Sequence, residues 1–163
     1  MWKCRKAKNI GIIVGAIFLI INLVWGLNYL SYSKYMMHSP DEPAFFEIRT
    51  SYASEDNDFY YTVKKPDYLS PNGNLASVSA DGNISIIVWP SYFCNKIDSY
   101  GITLYDESAE QGYMFYVDEE MNFHPQNYGR LDPESSEAAE SLLNRMKDQV
   151  FSQFQCMKSE FNF

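Results

Sequence analysis

The stretch "NIGIIVGAIFLIINLVWGLNYL", residues 9–30, constrains this chain more than any other. Residues 10–30 carry no charge, and only Asn22 and Asn28 interrupt their apolar character strongly. A membrane-spanning helix needs about 20 such residues. The core of a cleaved signal peptide is shorter, about 7–15 residues, and ends at a small-x-small site. The length therefore predicts a retained anchor. Ser31, Tyr32 and Ser33 form a poor cleavage site, so a secreted factor released near Ser33 is the competing expectation. Trp25, Tyr29 and Tyr32 cluster at the far end of the run, where amphipathic rings favour the headgroup region.

Charge sets the expected orientation. Lys3, Arg5, Lys6 and Lys8 precede the run and only Lys34 follows it closely. Basic residues flanking a span stay on the cytoplasmic side. The sequence thus predicts a cytoplasmic tail over 1–9, an anchor over 10–30, and a periplasmic or extracellular remainder held at the cell membrane. Residues 31–163 hold 9 Lys and Arg against 21 Asp and Glu, a net charge of −12. Such a surface repels phosphate backbones, which excludes nucleic acid as a partner class.

Residues 31–43, "SYSKYMMHSPDEP", are polar, hold two prolines and show no period, so they are expected to be a stalk. Residues 44–163 are enough for one domain with a single core. Runs rich in aromatic and β-branched residues occur at 45–52, 59–65, either side of Asp81 and Gly82 within 75–89, at 101–106 and at 112–120. The Asp-Gly pair favours a tight hairpin turn. Six strands joined to their sequence neighbours make a mainly antiparallel sheet.

The C-terminal stretch changes period. Asp132, Pro133 and Glu134 form a helix start, with a capping residue before a first-turn proline. Ala139, Leu142, Leu143, Met146, Val150, Phe154, Met157 and Phe161 then follow at three- and four-residue steps. That stripe needs a surface to cover it, and the sheet is the obvious one. The expected fold is α+β: an N-terminal transmembrane helix, then a mainly antiparallel sheet of about six strands packed on one face by a long C-terminal amphipathic helix.

Chemistry is sparse. His38 lies in the expected stalk and His124 in "NFHPQN", and no nucleophile motif frames either. There is no CxxC pair and no HExxH, and "DEEMN" at 118–122 lacks the glycine and the terminal acid of a calcium loop. No catalytic, cofactor or metal residue is assigned, and no cofactor is expected. The chain is expected to be a non-catalytic binding or accessory module, such as an envelope-complex subunit or an immunity-type protein. An exported hydrolase without a recognisable motif is the alternative.

Three groups of residues carry specific expectations. Gly11, Gly15, Asn22 and Gly26 fall on one narrow helical stripe, the pattern that lets anchors associate, here as a homodimer or with a partner helix. Cys94 and Cys156 are the two cysteines outside the span, in a compartment expected to be oxidising, and are expected to pair. Cys4, on the extrapolated stripe, is a possible acylation site. Strand alternation places Tyr60, Tyr105, Met114 and Tyr116 on the face away from the C-terminal helix, as the docking surface for a protein partner.

Overall fold

The computed structural model describes residues 2–36, 48–68, 70–94 and 96–163. Helix α1 spans Trp2–Ser31 and runs into a 3-10 turn, Tyr32–Met36. Strands follow at Arg49–Ala53 (β1), Phe59–Lys64 (β2), Asn74–Ser79 (β3), Ile84–Pro90 (β4), Ile97–Asp106 (β5) and Gln111–Val117 (β6). Helix α2 spans Pro133–Phe161. The six strands form one antiparallel meander in sequence order.

Local chemistry accounts for the element ends. Gly82 takes a φ of 79° between β3 and β4, a conformation without steric cost only for glycine. Ser79 closes the same turn by donating to Asp81 Oδ1 at 2.5 Å while its Oγ accepts from the Ile84 amide at 3.0 Å. Asp132 caps α2 by accepting from the Ser135 amide at 2.9 Å, and Pro133 occupies the first turn, where its missing N–H costs nothing.

The core lies between α2 and one face of the sheet. Ala139, Leu142, Leu143, Val150, Phe154, Met157 and Phe161 are all buried, against Val63, Leu75, Ile86, Val88, Ile102, Leu104 and Phe115. Glu137, Asn144, Asp148, Ser152 and Gln155 face solvent. Gln153 sits inside this layer at 1% exposure and donates from Nε2 to the Ser77 carbonyl at 3.0 Å and to Ser77 Oγ at 3.1 Å. It is a polar tie between helix and sheet that the apolar periodicity does not reveal.

The largest departure from expectation is at 31–36. These residues are not a stalk: Tyr32 is fully buried and Tyr35 is 2% exposed. Tyr35 meets Phe161 edge-on at 6.2 Å between centroids, and Phe161 meets Tyr61 at 5.6 Å. Aromatic burial of this size dominates local packing, so the continuation of α1 is part of the core. The rest of the expected stalk, with His38, and the start of the expected first strand at 45–47 lie outside the described residues.

Asp56, Asp81, Asp106 and Asp132 occupy turns or a cap, and hydrogen bonds hold each carboxyl below its ordinary range. Ser54 acts first on Asp56, Ser79 on Asp81 and the Ser135 amide on Asp132. Asp106 is lowered to about 2, first by Ser108 and then by Arg145, whose Nη2 lies 2.6 Å away. A folded-state pKa below the unfolded value makes ionisation stabilising above the unfolded pKa, and that stability is lost as pH falls through the folded one. Thermal midpoints should therefore hold near neutrality and drop between about pH 4 and pH 2. Arg145→Met should soften the lower part of that drop. A midpoint flat from pH 6 to pH 2 would contradict the assignment.

Candidate functional site

The sheet face opposite α2 has no covering element among the described residues. Cross-strand register runs Tyr60, Val78, Ser85, Thr103 and Met114 in one row, and Thr62, Ala76, Ile87, Gly101 and Tyr116 in the next. All four residues named from strand alternation lie on this face. Tyr60 is 50% exposed, Tyr105 41% and Met114 69%, while Tyr116 is half-buried.

The structure brings only part of that set together. Met114 and Tyr116 line a groove of roughly 210 Å³ with Ile87, Trp89, Thr103 and Arg130. Tyr105 adjoins Met114 across the β5–β6 pair. Tyr60, on β2, is four strand spacings from β6, about 19 Å. Gly101 makes the groove possible: a Cβ there would fall 2.9 Å from the Trp89 ring. Trp89 thus lies across the glycine, with its ring centroid 6.1 Å from that of Tyr116. The Arg130 guanidinium stands 4.7 Å over Tyr116, a cation–π contact at the rim. Trp89 and Ile87 were findable by extending the β4 alternation outward; Arg130 was not, because it follows a 3-10 turn, Pro125–Gly129.

Asn127 protects the adjoining sheet edge. It is 1% exposed, its Oδ1 accepts from the Tyr116 amide at 2.9 Å and its Nδ2 donates to the Tyr116 carbonyl at 2.7 Å. With the His124 amide, which donates to the same carbonyl at 3.0 Å, this side chain stands in for a strand partner at the β6 edge. His124, considered as a base, instead accepts the Gln126 amide at Nδ1, 3.2 Å away, and caps that same turn. The Asp118 carboxylate closes its own turn on the Asn122 amide at 2.7 Å. Among the described residues no group of three His, Cys, Asp or Glu is placed to hold a metal ion.

Comparison with protein-family models, with curated proteins and with solved structures returns no match. What the chain does must be argued from its own geometry.

The second notable region is the junction of α1 with the domain. Asn28, 2% exposed, donates from Nδ2 to the Pro71 carbonyl at 2.9 Å, and its Oδ1 accepts from the Phe93 amide at 2.9 Å. One helical side chain thus holds two loops. Asn22 donates to the Phe18 carbonyl at 2.8 Å and accepts from the Tyr68 hydroxyl, while the Tyr68 ring stacks on Trp25 at 4.5 Å. Both asparagines of the apolar run are satisfied within the chain. Of the glycine stripe, Gly26 borders the Tyr68 loop, whereas Gly11 and Gly15 have open space beside them.

The expected disulfide is not formed. Cys94 and Cys156 are both free thiols, one buried and one exposed. Positive φ values at Phe93 (61°) and Cys94 (53°) turn that loop toward α1, and Cys94 Sγ lies 3.3 Å from Ser31 Oγ. Cys156 projects beside the apolar stripe of α2 into solvent.

Proposed function

We propose that this chain is a single-pass membrane protein, N-terminus in the cytoplasm, whose exported domain is a non-catalytic module that recruits a protein partner through the β4–β6 face. The observation that carries the proposal is the groove between Trp89, Met114 and Tyr116, rimmed by Arg130, with exposed Tyr105 on the same face. Exposed aromatic and Met side chains with an Arg at the edge are the composition enriched in protein interfaces. The −12 charge of residues 31–163 favours a basic partner at long range.

Two features support anchorage. Helix α1 is long and apolar enough to cross a membrane, and its side chains from Ile10 to Ile21 are all exposed. An apolar rod this continuous calls for lipid around it. Cleavage near Ser33 would sever Tyr29 and Tyr32 from the core that buries them, which weighs against a released factor. Gly11 and Gly15 leave the cytoplasmic half of the anchor free for a second helix.

The test is recovery of a partner by full-length protein from detergent-solubilised membranes, beside a Tyr105→Ala/Met114→Ala variant. Both side chains are exposed, so the double variant should keep its melting temperature within a few degrees. Loss of a specific partner with the melt retained is expected. A partner recovered equally by both proteins overturns the face assignment, and an intact mass lacking residues 1–33 overturns the anchor.

A further inference from the structure

The described residues expose eight large apolar or aromatic side chains outside α1: Ile48, Tyr60, Tyr68, Tyr92, Phe93, Tyr105, Met114 and Phe151. Three belong to the open face already described. Four of the rest, Ile48, Tyr68, Tyr92 and Phe93, sit at one end of the sheet, the end from which α1 emerges. Ile48 accepts the Lys65 amide at its carbonyl, 2.7 Å away, which places it beside the loop that follows β2. Tyr68 stacks on Trp25, and the Phe93 amide is held by Asn28. From this clustering we infer that the exported domain is seated in the bilayer surface, with a phospholipid acyl chain lying in the groove between α1 and Pro66, Asp67 and Tyr68. The inference rests on the anchored topology proposed above.

Depth along the helix supports it. At 1.5 Å per residue, a hydrocarbon layer of about 30 Å that begins at Ile10 ends near Tyr29 or Leu30. Trp25 then lies about 7 Å inside the edge and Asn22 about 12 Å inside. Tyr68, which contacts both, reaches hydrocarbon depth from the domain side. Its hydroxyl donates to Asn22, so neither polar group is left unsatisfied in an apolar medium.

The groove has the matching character. Trp25, Gly26, Tyr29, Leu30, Ile48 and Pro66, with Asp67 as the one charged residue, line about 360 Å³ of mainly apolar space beneath Tyr68. The missing side chain of Gly26 opens its floor, since an added Cβ would meet nothing within 4 Å. The charges near the rim are matched to a headgroup layer. Asp67 is 3.8 Å from Lys64, and the Lys65 ammonium lies 4.9 Å from the Tyr29 ring centroid. An occupant must share the wall formed by the outermost turns of the span. Lipid does so without any further component, whereas a soluble protein would have to enter the hydrocarbon layer.

The experiment uses the full-length chain in phosphatidylcholine vesicles doped with a phosphatidylcholine that carries a diazirine in its acyl tail. Irradiation and peptide mass spectrometry map the adducts. Adducts on 66–72 and on the peptide containing Tyr92 and Phe93, in addition to those on 10–30, are expected. Gly26→Leu, whose Cβ meets nothing within 4 Å and whose longer side chain takes up groove volume, should abolish the 66–72 adducts and leave those at Phe93. Adducts confined to 10–24 overturn the seating while leaving the anchor intact. Unchanged 66–72 adducts in Gly26→Leu overturn the groove. If loop adducts form in pure lipid but not in native membranes, the groove belongs to a neighbouring transmembrane helix and the inference fails. Recovery of the protein in the alkaline wash, without adducts, overturns both the anchor and the seating.

Discussion

Replacement of Asn28 by Leu should release the loops at Pro71 and Phe93 from α1 while the sheet stays folded. Its amide joins the Pro71 carbonyl and the Phe93 amide, two backbone groups with no other hydrogen bond among the described residues. Leaving a buried backbone group unpaired costs about 1–3 kcal/mol. Both loops are partly exposed, so the lower part of that range applies to each, and the sum is about 2–3 kcal/mol. The loss is local, because β4 and β5 pack on α2, whereas α1 meets chiefly the turns at 32–36 and 92–94. Amide hydrogen exchange of the full chain in lipid nanodiscs should show Phe93 deprotected, with the β3–β5 amides unchanged. Asn28→Asp adds a discriminating arm. At neutral pH its carboxylate faces the Pro71 carbonyl, acceptor against acceptor. A protonated carboxyl can donate to that carbonyl, and burial raises the pKa of such a group. The carboxylate still accepts the Phe93 amide, so Phe93 should stay protected in this variant, while protection just after Pro71 is lost at neutral pH and returns on acidification to about pH 5, before the turn aspartates titrate. Equal protection of Phe93 in wild type and Asn28→Leu would remove the clamp from the account.

Much of the sheet and α2 was legible because period fixes face. Alternation sorted Tyr61, Val63, Ile102, Leu104, Phe115 and Val117 inward and Tyr60, Tyr105, Met114 and Tyr116 outward, as found. Alternation gives the face of a side chain but not its distance from another, so Tyr60 was grouped with residues that the strand order holds far away. The α2 stripe was equally plain, yet Gln153 within its buried side was not, since its partner is the Ser77 backbone and has no sequence signature. The two asparagines of the span show the same limit. A polar group in an apolar helix needs a partner, but sequence cannot say whether that partner is another helix or a loop of the same chain. Here the partners of Asn28 lie 43 and 65 positions downstream. The disulfide expectation failed for a related reason. Compartment and elimination named two cysteines, but only backbone dihedrals at 93 and 94 decide where the first one points.

Residues 31–36 were misread as linker although Tyr29, Tyr32 and Tyr35 recur every third position, a one-sided aromatic row that continues past the anchor. A glycine far along the chain packs directly against Tyr32, and this leads to the sharpest stability prediction. Gly73 faces both the Lys64 carbonyl and the Tyr32 ring. A Cβ at that position would fall 2.2 Å from Lys64 O and 2.6 Å from Tyr32 Cε1. The ring could shift, but the carbonyl belongs to the Lys64–Asn74 pair that ends the β2–β3 ladder. Relief therefore requires opening the ladder or expelling Tyr32, and with it one of the contacts that join α1 to the domain. Overpacking of this kind costs about 1–3 kcal/mol. Two internal controls fix the cause. Gly112→Ala meets only ordinary contacts at 3.9 Å and should be near neutral. Gly82→Ala has open space but sits at a φ of 79°, so it should cost only the left-handed backbone penalty, about 1–2 kcal/mol. The expected order of melting temperatures is Gly112→Ala highest, then Gly82→Ala, with Gly73→Ala lowest. Only Gly73→Ala should also make α1 and the domain separable by limited proteolysis at 32–36. A Gly73→Ala protein that melts with Gly112→Ala and resists cleavage there would mean that the close fit of Gly73 does not tie Tyr32 to the β2–β3 ladder.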